Sequence, residues 1–454
     1  MEIKRKIYDK LLSWRDEAKG STALLIEGTM GVGKATIATK LGKEKYRSYI
    51  LIDFTRVSKL IRDSFNNELE HLDILFQNIS LEYNTPLYRR ESLIILSKVE
   101  VFPRAREALK YLVKDGRYDF IATGSLISIK ENVENILIPS EVRHLKMYPV
   151  DFEEFLDFIG EGMLKDYIHT CYKAGRPLER SFHNKAMRLF REYMLVGGMP
   201  EVLATYKEND RSFYAADIAK RRILELYRES INNTYKRYRA KVGSLFNSIP
   251  SFLSTSCKRV VLNKIGENQR FSQYYDSLYW LKDSMLCNLS YKATNVNIDL
   301  ESGKDDSYLK CYMGDTGLLV SLAFSENEIM TNELYKEIMF GKLSLNEGML
   351  YENLISQILV AKGKKLYFYT SYNKDKGRND IEIDFLLSNE SKTNFKVYPL
   401  EIKSSKNFTN ISFDRFKNKF KNKIEGGYII SPKQYKKEEG YTYLPPYMLI
   451  CLFN

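Results

Sequence analysis

Short apolar runs separated by helical patterns fill the first 150 residues. The runs cover residues 23–26, 49–52, 93–96 and 118–122, with a fifth around 142–148. The clearest helix lies over residues 103–114. There Ala105, Ala108, Leu109, Leu112 and Val113 share one face, Pro103 suits a first turn, and Gly116 closes the helix. Ile7, Leu11 and Trp14 predict an amphipathic helix ahead of the first strand. Strands alternating with helices predict a parallel, doubly wound sheet that takes its ligands at the carboxyl edge.

From Asp151 (DFEEFLDFIG) to about residue 235 the pattern is almost wholly helical. Residues 236–330 mix short helices with a Tyr-rich strand over 308–313, and the polar stretch 295–307 reads as a hairpin tip or loop. From residue 331 the pattern returns to α/β. A helix carrying Tyr351, Leu354, Ile355, Ile358 and Leu359 on one face ends at Gly363, and strands follow over 365–369, 381–387 and 396–403. The expected domains are therefore 1–150, 151–235, 236–330 and 331–454. No internal repeat interrupts this order.

A chain of 454 residues is too long for one ordinary core. With 44% hydrophobic residues the composition is that of a soluble globular protein, and no apolar run approaches the roughly 20 residues that span a bilayer. The start, MEIKRKIYDKLLSW, is charged from its second residue and lacks a signal-peptide core. Five scattered cysteines form no CxxC or Cys/His grouping, which fits buried thiols in a reducing cytoplasm. A net charge of +12 admits an anionic partner such as nucleic acid without identifying one.

The first candidate chemistry is the segment ALLIEGTMGVGKATIATKLG, a strand, a glycine-rich turn and a helix. Gly28, Gly33 and Lys34 carry the G-x-x-x-x-G-K spacing, and Gly31 between them is a further candidate cofactor-binding residue. Glycines let backbone N–H groups curl round an anion, the helix start adds partial positive charge, and Lys34 would reach the terminal phosphates of ATP or ADP. The next residue should offer a hydroxyl to Mg²⁺, but it is Ala35. Thr36 follows about 100° further round the helix, better placed for the α-phosphate than for the metal.

A second break lies in the run 93–96. An acidic pair normally follows such a strand, one carboxylate for Mg²⁺ and one for the attacking water. Here Ser97 and Lys98 occupy those positions, and Glu100, of the same parity as Lys98 in an extended chain, is the only nearby substitute. Thr123-Gly124-Ser125 ends the following strand and is a candidate γ-phosphate sensor, with a plain turn as the alternative. Arg143 is a candidate arginine finger, with a solvated strand residue as its alternative.

These residues resemble the prokaryotic AAA-type ATP-binding proteins that carry a C-terminal domain of the DUF4143 type. The resemblance spans nearly the whole chain through GTMGVGK, the VEVFPRAREALKYLVKDGRYDFIATGSLISI block, MYPVDFEEFL, LVGGMP, MGDTGLL, GMLYENLI, EIDFLL and PLEIKSS. It implies an α/β architecture: a P-loop NTPase sheet, a helical lid, a winged-helix-like middle region and a C-terminal restriction-endonuclease-like domain. It also implies an ATPase ancestry. Such proteins usually have Ser or Thr at Ala35 and Asp-Glu at Ser97-Lys98, so this chain departs where metal and water are handled. The expectation is a nucleotide binder with weak or lost hydrolysis, acting on nucleic acid or with a partner protein. Assembly into an oligomer stays open.

The last domain holds a second grouping. Asp380, Glu382 and Asp384 alternate with apolar residues and share one strand face, and Glu401 and Lys403 share a face on the next strand. This resembles the PD-(D/E)xK nuclease pattern. By that resemblance Asp384 and Glu401 would bind a divalent cation, Lys403 would activate water, and Glu352 would be the further acid. A half-exposed sheet gives the same alternation. Lys406, Arg415, Lys417, Lys419, Lys421 and Lys423 form either a phosphate-contacting edge or a solvated helix face. Gly197-Gly198 and Asp315-Thr316-Gly317 read as turns and caps. A metal-dependent nuclease and a non-catalytic interaction protein remain the competing functions.

Overall fold

The computed structural model describes residues 2–125, 141–233, 236–266, 269–297, 299–325, 329–340, 347–373, 377–388, 396–424, 426–438 and 440–452. The chain divides into two compact units. One is Lys4–Tyr148 with Asp283–Met285; the other is chiefly Pro149–Lys282 and Leu286–Asn454.

In the first unit, strands β1 (Ala23–Glu27), β2 (Ser48–Asp53), β3 (Ser92–Ser97), β4 (Asp119–Gly124) and β5 (Val142–Lys146) form one sheet in the order β2-β3-β4-β1-β5. Every pairing is parallel. The helices among the described residues are α1 (Ile7–Ala18), α2 (Lys34–Lys45), α3 (Lys59–Asn67), α4 (Leu72–Glu82) and α5 (Pro103–Asp115). Because side chains alternate along a strand, each strand feeds two cores. Leu24, Ile26, Leu93, Ile95 and Ile121 pack with Leu11, Trp14, Ile37 and Leu41 of α1 and α2. Ala23, Leu25, Ile94, Leu96 and Phe120 pack with Phe65, Phe76, Leu109 and Leu112 of α3, α4 and α5. Pro103 opens α5, and Gly116, at φ 72°, ends it in the left-handed region. The expected parallel α/β sheet is present, with helices on both faces.

The second unit begins with helices. Asp151 caps Phe152–Phe158 by a reciprocal pair: its Oδ1 accepts from the Glu154 N–H at 2.9 Å, and its own N–H donates to Glu154 Oε2 at 3.0 Å. The longer helices Arg180–Val196 and Phe213–Asn232 bury one face each. Gly197-Gly198 and Asp315 form the expected turn and cap. Asp315 accepts the Leu318 N–H at 3.0 Å, capping Thr316–Ala323, and the Gly198 N–H at 2.6 Å.

Eight strands then form one mixed sheet in the order β12-β13-β11-β10-β9-β8-β6-β7. They are β6 (Cys287–Ala293), β7 (Lys304–Met313), β8 (Leu366–Asn373), β9 (Arg378–Ser388), β10 (Val397–Ile402), β11 (Tyr428–Ile430), β12 (Lys436–Glu438) and β13 (Tyr441–Leu444). The hairpin β6–β7 falls in the segment expected as winged-helix-like, yet β6 pairs in parallel with β8. The expected boundary near residue 330 thus runs between strands of one sheet. The cause is burial: Leu289, Tyr291, Cys311, Tyr312 and Met313 are all buried, so the hairpin needs cover on its faces as well as a strand partner. The helix Glu347–Ala361 supplies cover, with every residue from Met349 to Leu359 buried. A final turn, Pro446–Cys451, is also wholly buried; the Tyr447 hydroxyl lies 2.9 Å from His183 Nδ1.

Candidate nucleotide cradle and carboxylate cluster

The turn after β1 passes close to its neighbours. A Cβ at Gly28 would stand 2.5 Å from the Met147 carbonyl oxygen, so only glycine admits this approach. Gly31 and Gly33 lie at φ 82° and 96°, where glycine is strongly favoured, and α2 starts at Lys34. The Lys34 side chain turns back across the loop. Its Nζ donates to the carbonyl oxygens of Gly28 at 2.7 Å and Thr29 at 2.9 Å. Burial pushes the ammonium down to about 7; the Glu100 carboxylate opposes the shift and Lys98 adds to it. Arg5, which no motif marks, anchors the loop by donating to the oxygens of Val32 at 3.2 Å and Tyr148 at 2.7 Å.

At the same edge, Ser97 ends β3 beside Thr123 of β4, and the Thr123 hydroxyl donates to Ser97 Oγ at 3.3 Å. Lys98 then takes φ 61°, and Val101 N–H closes a turn onto its oxygen at 2.9 Å. The extended parity expected between Lys98 and Glu100 therefore does not apply, because the chain turns where the strand ends. Glu100 Oε1 accepts from the Ser125 N–H at 3.2 Å and hydroxyl at 2.8 Å, while its buried Oε2 has no hydrogen-bond partner among the described residues. Ser125, in the segment expected to be either a sensor or a plain turn, is engaged by Glu100. Arg143 pairs with Glu17 at 2.8 Å.

This edge suits phosphate better than a divalent ion. Two left-handed glycines and a lysine make an anion cradle. Ala35 offers no oxygen ligand, Thr36 is exposed, Ser97 is neutral and Lys98 is cationic. Those residues do not fit Mg²⁺.

The C-terminal grouping is more crowded than its sequence suggests. Glu352 is fully buried. Its Oε1 takes the Tyr312 hydroxyl and, at 2.8 Å, Lys310 Nζ; its Oε2 pairs with Lys258. Lys310 Nζ also lies 3.8 Å from Asp384 Oδ1 and 4.0 Å from Glu382 Oε1. Asp384 Oδ2 accepts the Ile402 N–H at 2.8 Å. Burial and then the Glu352 charge push Asp384 up to about 7, whereas Lys258 and Lys310 overcome burial and hold Glu352 at about 2. Glu401 pairs with Lys403 at 2.6 Å, and its buried Oε2 has no hydrogen-bond partner among the described residues. The fold thus gathers Glu352 and Asp384 round Lys310, and joins Glu401 to Lys403 beside them. No group of three or more His, Cys, Asp or Glu among the described residues is arranged to hold a metal. Sequence reasoning missed Lys310 and Lys258. Lys310 had left a signal, a charge inside the apolar run Tyr-Leu-Lys-Cys-Tyr-Met; Lys258 had left none. Of the basic helix, Arg415 pairs with Asp380 at 2.7 Å and Lys419 donates to the Tyr369 hydroxyl at 2.8 Å.

Three families match the chain: an AAA domain over residues 20–156, the domain of unknown function DUF8612 over 187–328, and the domain of unknown function DUF4143 over 347–448. No curated protein matches. Among solved structures, a katanin chain shares 13% identity over 36% of this chain and 57% of its own, with a TM-score of 0.22. PCH-2 of C. elegans shares 11% over 38% of this chain and 48% of its own, at 0.21. The chain thus spans about half the length of these two. Cdc6p of Pyrobaculum aerophilum shares 11% over 75% of this chain and 97% of its own, at 0.28.

Proposed function

The chain carries an AAA-type P-loop domain followed by a DUF4143 domain, and from that premise we propose that it is an ATP- or ADP-binding protein whose hydrolysis is weak or lost. One observation carries the reading. Gly28, Gly31, Gly33 and Lys34 keep the cradle geometry, while Ala35, Ser97 and Lys98 put a methyl, a hydroxyl and a cation where metal-binding and catalytic oxygens are usual. Lys34 and Lys98 bring two positive charges to this edge, which would offset the phosphate charge that Mg²⁺ normally neutralises. Binding without rapid turnover suits a module that reports nucleotide occupancy to nucleic acid or a partner protein. The net charge of +12 supports the former. No helix among the described residues is long and apolar enough to cross a membrane, and five cysteines held as thiols rather than disulfides go with a cytoplasmic setting.

Calorimetry with ATP and ADP, in Mg²⁺ and in EDTA, tests this. Comparable binding in both media with negligible phosphate release supports it; brisk Mg²⁺-dependent hydrolysis overturns it. Absence of any nucleotide binding would favour a non-catalytic interaction protein. The nuclease alternative, through Asp384, Glu401, Lys403 and Glu352, predicts Mn²⁺-dependent cutting of DNA or RNA that Asp384→Ala abolishes.

A further inference from the structure

We infer that the Lys310 ammonium is the resident cation of the cluster made by Glu352, Asp384 and Glu382, held where a divalent ion would have to sit, so that the cluster takes up no metal. Lys310 is 0% exposed, and burying an unpaired ammonium costs several kcal/mol. Only carboxylates repay that cost, and three lie within 4.0 Å of its Nζ.

The oxygens a metal would need are already engaged. Divalent ions sit about 2.0–2.6 Å from oxygen ligands, closer than the Lys310 contacts. Both Glu352 oxygens hold donors, and Asp384 Oδ2 holds the Ile402 N–H, leaving Oδ1 turned toward Lys310. The charge balance agrees. Lys310 and Lys258 together bring the two positive charges of one divalent ion, so a metal added to them would leave the pocket with excess positive charge.

The cations and anions also come from different parts of the unit. Lys310 and Tyr312 share one face of β7, and Lys258 stands in a left-handed turn at φ 49° after the helix Lys236–Leu253. Glu352 belongs to the helix Glu347–Ala361, and Glu382 and Asp384 to β9. The lysines therefore join the middle segment to the DUF4143 domain.

The test is Mn²⁺ titration of the nucleotide-free, full-length protein, read by electron paramagnetic resonance and thermal melting. The wild type should take up no stoichiometric Mn²⁺. The Lys310→Ala protein should melt lower, gain one Mn²⁺ per chain and recover part of its melting temperature with the metal. Adding Asp384→Asn should remove that gain. One wild-type Mn²⁺ lost on Asp384→Asn overturns the inference, as does a folded Lys310→Ala protein blind to Mn²⁺. Should Lys310→Ala fail to fold, the wild-type titration decides alone. ATP binding is a separate readout, so failure here leaves the nucleotide proposal standing.

Discussion

Thr123 donates its hydroxyl hydrogen to Ser97 across the β3–β4 pair at 3.3 Å, with both side chains buried at the carboxyl edge of the sheet. On the proposed reading, a neutral hydroxyl pair thus stands where metal-assisted hydrolysis needs a carboxylate. Combining Ala35→Ser, Ser97→Asp and Lys98→Glu should restore ATP hydrolysis in Mg²⁺. A positioned general base alone contributes roughly 10²–10⁴-fold, so a rise of that order in phosphate release is expected. A folded triple variant that binds ATP and stays inert would place the loss beyond these three positions.

The Lys34 contacts predict a pH dependence. Its ammonium, pushed down to about 7 by burial, is largely neutral in the apo protein between pH 7 and 10.5. The unfolded chain binds the proton throughout that window, so this group makes stability rise with pH there. Phosphate would restore the proton. ATP affinity should therefore fall as pH rises above 7, with proton uptake visible as buffer-dependent calorimetric heats. Lys34→Ala should weaken ATP by about 10- to 100-fold, the scale of one charge-assisted hydrogen bond.

Arg5 supplies a different lever. Arg5→Ala removes donors to Val32 and Tyr148 while leaving the sequence of the G-x-x-x-x-G-K segment unchanged. A loss of about 1–3 kcal/mol in stability is expected, with weaker nucleotide binding, and Arg5→Lys should rescue little because a single ammonium cannot span both oxygens. Denaturant unfolding and calorimetry check the two effects separately.

Gly197 tests the turn in the second unit. It lies at φ 87°, and a Cβ there would meet Asp315 Oδ1 at 2.3 Å and Gly317 Cα at 2.9 Å. Gly197→Ala should destabilise by about 2–4 kcal/mol, combining backbone strain with a disturbed cap. A melting temperature within a degree of wild type would contradict the geometry.

How much was legible in the sequence follows from how local each determinant is. The helix Pro103–Asp115 could be read because its apolar face, its proline and its glycine all lie within fourteen residues. The cradle was equally local. The pairing of β6 with β8 was not, since it joins Ser290 to Leu366 across a helical segment and no residue in either strand names its partner. The carboxylates near Asp384 were visible by alternation. Their neutralisation was hidden, because Lys258 and Lys310 enter from elements that the pattern assigned to another domain. The parity argument for Glu100 failed for a local reason: it assumed an extended chain past Ser97, and Lys98 turns left-handed.

The buried turn Pro446–Cys451 sets the timing of assembly. Tyr447 meets His183 at a separation of 264 residues. During synthesis, the helices Gly162–Lys173 and Arg180–Val196 emerge long before this turn and must wait with apolar surface uncovered. The first unit, whose strands close within residues 23–146, has no such wait. Folding of the second unit is therefore expected to complete only after residues 446–451 have been made, which leaves its early helices in need of chaperones meanwhile.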